Sequence, residues 1–320
     1  MYFLKRVLWL VPTLMVVSFL AFVLLHLAPG GPFDKERAPA SEGIKRAIEK
    51  KYHLDEPVWK QYLRYAGLLW ERQPDGSLQR TKGGLVAGDF GPSYKYRSHT
   101  VNDIIAQGLP VSLSLGLLAF LFAQGVGIPL GFYTAARRGQ WGDYLGSSVA
   151  LLAFCIPSLV VGPLLIMGLA IHWRLFPAAL WASPWHAVLP TLALGLYFSG
   201  RIARLMREGM ASVMQEGFIT TARAKGLGET KLLLKHGLRI AIMPVVTYSG
   251  PLLADLLTGS FVVENMFRIP GLGVFIVNSL LNRDYTVMVG LVLLYAVLLL
   301  VLNLIVDLAY TLLDPRVRYE

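Results

Sequence analysis

The chain is poor in charge and in cysteine. Only 16% of its 320 residues are charged, whereas a soluble domain carries about 25%. Its hydrophobic fraction is 55%, and its mean hydropathy is +0.53. Cys155 is the single cysteine, so an intrachain disulfide is impossible. These properties exclude an intrinsically disordered chain, a nucleic-acid-binding domain and a disulfide-stabilised secreted scaffold.

The sequence also lacks the motifs of catalytic, metal and nucleotide sites. It has no H-E-x-x-H motif, and its six histidines are scattered, so no spacing indicates a zinc site. It has no G-x-S-x-G element and no G-x-x-x-x-G-K-[ST] loop, so neither a serine nucleophile nor an ATP site is predicted. We therefore expect no catalytic, metal-binding or cofactor-binding residue in this chain.

Long apolar runs are what the chain has instead. Six runs are candidates for crossing a bilayer, which takes about 20 residues: residues 7–27, 109–135, 144–171, 186–200, 242–263 and 287–309. The fourth is the shortest and can extend to Leu205. The first is longer than the apolar core of a signal peptide, which favours an uncleaved helix. The sequence thus predicts an all-α integral membrane protein with six transmembrane helices.

Basic residues set the orientation of these spans. If both termini are cytosolic, eight basic residues fall in the cytosolic loop from Arg201 to Arg239. The two short outer loops then hold only Arg174, Arg268 and Arg283 as basic residues. Because basic residues favour the cytosolic side of short loops, we predict an N-in, C-in topology. The net charge of +10 then reflects topology and not a nucleic-acid partner.

The spans divide the chain into four parts. Residues 1–30 form the first transmembrane helix, 31–108 an extracytoplasmic segment, 109–309 a five-helix core with a cytosolic loop at 206–240, and 310–320 a cytosolic tail. In the extracytoplasmic segment, apolar periodicity predicts short helices over 41–52, with Ser41 as N-cap, and over 58–69 after Pro57. The polar, glycine-containing stretch 73–84 is predicted to be a loop.

The cytosolic loop at 206–240 carries the strongest local pattern. It predicts a helix from Glu216, a break at Gly226, and a second helix over 229–240 that leads into the membrane. Loops that only connect two helices are shorter, with about 2–8 residues. A long loop rich in small and basic residues suits a helix that sits in a groove of another protein. The alternative is an interfacial helix lying on acidic membrane lipid.

One acidic residue stands deep in the fifth run. Asp255 has leucine at positions 252, 253, 256 and 257. A carboxylate inside a membrane span is costly and usually functional, so Asp255 is a candidate for lining a polar pathway. The alternative is a buried hydrogen bond between helices.

The loop contains a pattern found in a known family. The run Thr220-Thr221-Ala222-Arg223-Ala224-Lys225-Gly226-Leu227 is followed by Leu234-Lys235-His236 and Pro244. This run resembles the peptide-importing variant of the signature of membrane permease subunits of binding-protein-dependent ABC importers. In the general signature, three residues separate E-A-A from a glycine, and residues 220–222 and Gly226 take those places.

Other motifs agree with this resemblance along nearly the whole chain. They are similar to parts of the oligopeptide permease subunits, and they comprise residues 27–33, 51–54, 88–93, 101–104, Glu264, 270–273, 282–285 and 314–319.

The resemblance implies a transporter subunit with the type I permease fold of ABC importers, located in the bacterial inner membrane. The implied partners are an extracytoplasmic peptide-binding protein, a second homologous permease subunit and two cytosolic ATPase subunits, which would bind the ATP and magnesium. This chain would form half of the translocation pathway. The ATPase-coupling residues would be Glu216, Thr220, Thr221, Ala222, Arg223, Ala224, Lys225, Gly226 and Leu227.

Individual side chains acquire roles from the same resemblance. The short side chains of Ala222, Ala224 and Gly226 would allow close approach to the ATPase groove. Arg223 and Lys225 would offer charge to its rim.

Two other function classes compete with a transporter subunit. An intramembrane enzyme requires a cluster of polar catalytic residues at one depth, which the spans lack. A membrane anchor that has no substrate pathway would not need the long cytosolic loop at 206–240. Within the transporter class, the outer motifs favour oligopeptides as substrate, while dipeptides, nickel complexes and oligosaccharides are the alternatives.

Overall fold

The computed structural model of the chain describes residues 2–27, 42–72, 78–80, 83–96 and 98–313. These residues are mainly helical, with two short strands. The α-helices are α1 (Tyr2–Leu27), α2 (Glu42–Lys51), α3 (Val58–Ala66), α4 (Val101–Ala136), α5 (Trp141–Cys155), α6 (Ser158–Leu165), α7 (Pro184–Val213), α8 (Gly217–Ala224), α9 (Glu229–Leu232), α10 (Leu238–Ala241), α11 (Met243–Met266), α12 (Leu272–Asn282) and α13 (Tyr285–Leu313). The strands are β1 (Trp70–Arg72) and β2 (Leu78–Arg80).

Several of these helices can cross a membrane. By length and composition, the described residues contain four such helices: Leu8–Leu27 of α1, α4, α11 and Tyr285–Ile305 of α13. The helices Trp141–Cys155 and Ser158–His172 pass the same test together and are bent by 99° at the break between them, so they are a fifth candidate, either a broken span or a re-entrant loop. The multi-span, helical membrane class predicted from the sequence is therefore confirmed.

The bend in this fifth candidate span follows from a proline. Ile156, which ends α5, is extended (φ −88°, ψ 117°), as expected for the residue before Pro157. After α6 the helical run continues as a π-helical turn over Ile166–His172. The sequence predicts one apolar run over 144–171, and the structure breaks that run near its middle.

Helix α7 extends well beyond the predicted span at 186–200. Its C-terminal half carries Arg201, Arg204 and Arg207, and it is not among the described helices that qualify as spans. The apolar run before Arg201 is too short and too polar to qualify by composition. The sixth transmembrane helix therefore stays a prediction.

The chain divides into two compact units, and unit 1 comprises Met1–Pro110 and Gly271–Leu298. Its helices pack around two apolar clusters. One cluster contains Phe22, Tyr62, Ala66, Val289 and Leu293, and the other contains Val101, Ile104, Leu272, Val287 and Leu291. The first cluster joins α1 and α3 to α13, and the second joins the start of α4 and α12 to α13.

Within unit 1, the segment predicted to be extracytoplasmic differs from the sequence prediction in one element. The structure confirms the two short helices as α2 and α3, with Gly67 in the left-handed region (φ 73°) closing α3. However, β2 lies inside the stretch 73–84 that is predicted to be a loop, and it pairs antiparallel with β1, with Trp70 opposite Arg80. Strands of three residues are too short to show alternation in the sequence. The predicted N-cap Ser41 lies outside the described residues.

Unit 2 comprises Val111–Pro270 and Leu299–Glu320, and α7 is its central helix. Helices α5, α6, α10 and α11 all pack against α7. Its buried side chains include Leu189, Ile202 and Met206, which join the apolar core with Leu252 of α11. Small residues let the backbones approach, as in other membrane bundles. A Cβ added to Gly131 of α4, for example, would clash with the Ala203 carbonyl oxygen of α7.

Candidate coupling and pathway sites

The predicted coupling segment, residues 216–227, is built around α8. The chain turns tightly between α7 and α8, because the backbone N–H groups of Gln215 and Glu216 donate to the carbonyls of Ser212 and Val213. Glu216 occupies the N-cap position with an extended backbone (φ −72°, ψ 143°). The segment thus begins as a short helix that follows α7 after a tight turn.

The two faces of α8 have different environments. Ile219 is fully buried, and Ala222, one turn later, packs against the apolar core of unit 2. Ala222 lies on the same face as Ile219 because residues three apart share a helix face. The other face is exposed and consists of Phe218, Thr220, Thr221, Arg223, Ala224 and Lys225.

Gly226 ends α8 in the left-handed conformation, with φ +78°. The Gly226 N–H donates to the Arg223 carbonyl (3.0 Å), and the Leu227 N–H donates to the Ala222 carbonyl (3.3 Å). These two bonds form a Schellman motif, which usually requires glycine at this position. The predicted glycine break is therefore present, and its cause is backbone conformation.

An ion pair spans the glycine turn. The Arg223 guanidinium donates to both carboxylate oxygens of Glu229, at 2.5 Å from Nε and 3.2 Å from Nη2. This hydrogen bonding raises the pKa of Arg223 above its ordinary value. The family resemblance implies that Arg223 contacts an ATPase, and within this chain its guanidinium pairs with Glu229. Lys225 is exposed and has no ion pair among the described residues.

The chain after the turn is anchored on α7. Helix α9, a π-helical turn over Leu233–Gly237 and α10 form the second helical run, in place of the single helix predicted over 229–240. A Cβ added to Gly209 of α7 would clash with the Ala241 carbonyl oxygen, and one added to Gly237 would lie 3.2 Å from Met210 Sδ. The second helical run is therefore closely packed against α7.

Asp255 lies in a pocket at a different place in unit 2. It is exposed and lines a cavity of about 270 Å³ beside the break between α5 and α6. The other lining residues are Pro157, Ser158, Leu194, Tyr197 and Phe198. Its side chain thus stands in the wall of this pocket, and its role as a pathway-lining residue stays a prediction.

Comparison with protein families decides the class of the chain. A family model described as a binding-protein-dependent transport system inner membrane component matches residues 127–319. The model of the N-terminal part of such membrane components matches residues 1–116. The chain belongs to this permease family. The resemblance inferred from the loop at 216–227 is confirmed.

Individual relatives match the permease over its full length. It is 42% identical to the dipeptide transport system permease protein DppB of Bacillus subtilis, over 99% of this chain and 97% of that one. It is 41% identical to the oligopeptide transport system permease protein OppB of Haemophilus influenzae, over 98% of each chain. The identity to OppB of Salmonella typhimurium is 39%, over 99% of each chain.

A solved structure shares the fold of the permease. A chain of the MetNI methionine ABC transporter, in an inward-facing crystal form, superposes with a TM-score of 0.57 at 18% identity. The match covers 66% of the permease and 96% of that chain. The family assignment makes the protein a multi-pass inner membrane subunit that is non-catalytic and carries no cofactor, as predicted.

The permease also contains a buried ion pair that the sequence does not indicate. Asp143 of α5 is 4% exposed, and Arg207 of α7 donates to its two oxygens at 2.7 and 2.8 Å. Gly139 N–H and Ser147 Oγ also donate to this carboxylate, each at 3.0 Å. The pair ties α5 to α7. The two residues are 64 positions apart, so no local pattern in the sequence indicates the pair.

In unit 1 of the permease, two distant family-like motifs meet at Asp284. This residue is 1% exposed and accepts hydrogen bonds from Ser93 Oγ at 2.5 Å and from the Tyr94 and Lys95 N–H groups at 3.2 Å. It also precedes α13, and Thr286 Oγ1 donates to it at 3.1 Å. The motifs at 88–93 and 282–285 therefore contact each other and form one hydrogen-bonded junction.

We expect Asp284→Asn to weaken this junction. The amide group would face donors instead of accepting from them, so the free energy of unfolding should fall by about 1–3 kcal/mol. Asp103→Asn is the matched control, because Asp103 caps α4 through Thr100 at an exposed position and should cost about 1 kcal/mol or less. Thermal unfolding of the purified variants in detergent measures both. An equal decrease in the free energy of unfolding for Asp284→Asn and Asp103→Asn would contradict the structural role of Asp284.

Proposed function

We propose that this permease forms half of the translocation pathway of an ATP-driven peptide importer and couples to cytosolic ATPase subunits through residues 216–227. The proposal depends on the two faces of α8. Ile219 packs one face against the core, and the opposite face is exposed. Such a helix can transmit the movement of a partner to α7 and α11 without any chemistry in this chain.

The proposed topology has six transmembrane helices with both termini in the cytosol. It counts α7 as the fourth span, with its arginines reaching the cytosolic interface. The concentration of basic residues between Arg201 and Arg239 supports this orientation, because short cytosolic loops are enriched in Lys and Arg.

Peptides are the proposed substrate class. The support is the pair of relatives at 42% and 41% identity, whose names specify dipeptide and oligopeptide transport. The motifs at 88–93 and 282–285 favour oligopeptides, and dipeptides are the nearest alternative. Nickel complexes and oligosaccharides are the more distant ones.

Four partners follow from this function. They are a second homologous permease subunit, two cytosolic ATPase subunits that bind ATP and magnesium, and an extracytoplasmic peptide-binding protein. The exposed residues Thr220, Thr221, Ala224 and Lys225 are the proposed contact to an ATPase groove, together with Glu216, Gly226 and Leu227. Arg223 stabilises that surface, because its ion pair with Glu229 spans the glycine turn. Ala222 stabilises it by packing against the apolar core of unit 2. Asp255 is the proposed pathway-lining residue.

Mass spectrometry of the complex that co-purifies with the tagged chain in mild detergent tests the partner assignment. We expect a second permease and two ATPase polypeptides that contain the phosphate-binding motif absent from this chain. Reproducible purification of a folded chain by itself would contradict the subunit assignment.

A further inference from the structure

A further pocket lies within unit 1, away from the residues assigned to coupling and to the pathway. Its volume is about 260 Å³. Its wall contains two exposed residues of opposite charge and three tyrosines, namely Lys51, Asp89, Tyr52, Tyr65 and Tyr94. The rings of Tyr52 and Tyr94 lie 4.9 Å apart between centroids. The pocket therefore has aromatic walls and charges of both signs.

The charges of Lys51 and Asp89 are not paired within the chain. These two residues form no ion pair with each other or with any other residue that the structure describes. The Lys51 ammonium lies 5.6 Å from the centre of the Tyr52 ring. Asp89 accepts a hydrogen bond from the backbone N–H of Gly91 at 2.9 Å. Both charges are therefore available to a ligand in the pocket.

The other basic groups of the wall are already engaged. The Arg64 guanidinium donates from Nη2 to both carboxylate oxygens of Glu56, each at 3.0 Å. Nδ1 of His53 lies 3.8 Å from the same carboxylate. The charges that a ligand meets in this pocket are therefore those of Lys51 and Asp89.

The wall also contains a polar atom that has no partner. The Tyr65 hydroxyl is buried and makes no hydrogen bond to any of the described residues. Burial raises the pKa of Tyr65 far above its ordinary value, and the negative charge of Asp89 contributes to the shift, so the hydroxyl keeps its hydrogen. An unsatisfied buried donor costs free energy. In the wall of a cavity, such a donor is explained by a polar group that occupies the cavity.

We propose that this pocket binds a small zwitterion, a free amino acid or a dipeptide, with its ammonium group towards Asp89 and its carboxylate towards Lys51. A zwitterion can pair with both groups at once, whereas a simple cation or anion is attracted by one and repelled by the other. The pocket is slightly smaller than the about 300–1,000 Å³ of most small-molecule sites, which suits one or two residues and not a longer peptide.

The location of the site rests on the proposed function. The proposed topology places residues 31–108 on the extracytoplasmic side, so the zwitterion would reach the pocket from outside. Binding itself requires neither ATP nor the soluble binding protein and can be measured separately from uptake.

Equilibrium binding of labelled dialanine to the importer complex in detergent, without its soluble binding protein, tests the proposal. N-acetyl-dialanine lacks the ammonium group, and dialanine amide lacks the carboxylate. We expect each of these to bind the wild type about fivefold more weakly than dialanine, a typical upper value for an accessible ion pair. Free alanine is the fourth ligand. The ligand is a dipeptide if dialanine binds more tightly than alanine, and an amino acid if it does not.

Two variants assign each charge to one end of the ligand. Lys51→Gln should abolish the difference between dialanine and its amide but keep the difference between dialanine and the N-acetyl derivative. Asp89→Asn should do the reverse, and its side-chain oxygen can still accept from Gly91. Lys50→Gln and Asp55→Asn are the matched controls, because both residues are exposed and neither lines the pocket. Both controls should keep the wild-type pattern.

Tyr65→Phe gives a readout that does not depend on charge. Loss of the hydroxyl should weaken dialanine binding by about fivefold, a typical value for one hydrogen bond. The thermal stability of the ligand-free complex should not fall, because the hydroxyl has no partner there to lose. If Asp89→Asn fails to assemble, Lys51→Gln and Tyr65→Phe decide.

Absence of dialanine binding to the wild type would overturn the inference. Equal dialanine affinities in the wild type, Lys51→Gln and Asp89→Asn would also overturn it, because the ligand would then bind elsewhere. ATP-driven peptide uptake, with the binding protein present, is measured on the same preparations. Uptake by the wild type leaves the proposed function standing whatever the binding result, whereas failure of the wild type to take up any peptide would contradict the proposed function.

Discussion

Replacing Gly226 by valine should reduce ATP-driven uptake at least tenfold while the chain still inserts into the membrane. Gly226 has φ +78°, a conformation that costs an L-residue about 1–2 kcal/mol and a β-branched residue more. The Schellman bonds at the end of α8 would be lost, and with them the fixed angle between α8 and α9. Uptake and peptide-stimulated ATP hydrolysis by the assembled importer measure the effect.

Asparagine at the same position is the matched variant. Asn tolerates the left-handed conformation better than other residues, and an added Cβ at position 226 meets nothing of this chain within 4 Å. We therefore expect Gly226→Asn to retain more uptake than Gly226→Val. The remaining loss relative to the wild type would arise because the Asn side chain hinders the close approach of a partner. Wild-type uptake by Gly226→Val would show that the turn is not part of the coupling.

Arg207→Met should lower the free energy of unfolding by about 3–5 kcal/mol, because it leaves a buried carboxylate without its counter-charge. The Asp143 side chain is 5% exposed, whereas that of Arg207 is 34% exposed. Arg204→Met is the control, since Arg204 pairs with Glu208 at 3.5 Å and both side chains are 61% exposed. That exposed pair should contribute at most about 1 kcal/mol.

A double-mutant cycle isolates the pair from other effects of the substitution. The double variant Asp143→Asn with Arg207→Met should be more stable than Arg207→Met alone, because the unpaired charge is then absent. Exchanging the two residues should not restore stability, since Gly139 and Ser147 also donate to position 143. Equal losses for Arg207→Met and Arg204→Met in thermal unfolding would contradict a role for burial.

Features with a local pattern could be predicted from the sequence. The apolar runs predict α1, α4, α11 and α13 because length and composition alone indicate a membrane helix. The helix, glycine turn and second helical run at 216–241 could also be predicted, since Gly226 marks a helix end.

Features that depend on distant contacts could not be predicted. Asp284 meets Ser93 across about 190 positions, and Asp143 meets Arg207 across 64. Such pairs leave no periodic pattern in the chain. The partly buried position of Ala222 depends on how α8 packs against the rest of unit 2. The strands β1 and β2 are too short for alternation to show. The wall of the Asp255 pocket depends on the bend at Pro157, whose direction the sequence does not specify.

Photo-crosslinking from α8 tests the central claim most directly. A photoreactive amino acid replaces Thr221, on the exposed face of α8, and a control replaces Val86, which is 55% exposed in the predicted extracytoplasmic segment. We predict crosslinks from position 221 to an ATPase subunit, altered by ATP, and none to an ATPase from position 86. The absence of any ATPase crosslink from position 221 in an importer that hydrolyses ATP would contradict coupling through residues 216–227.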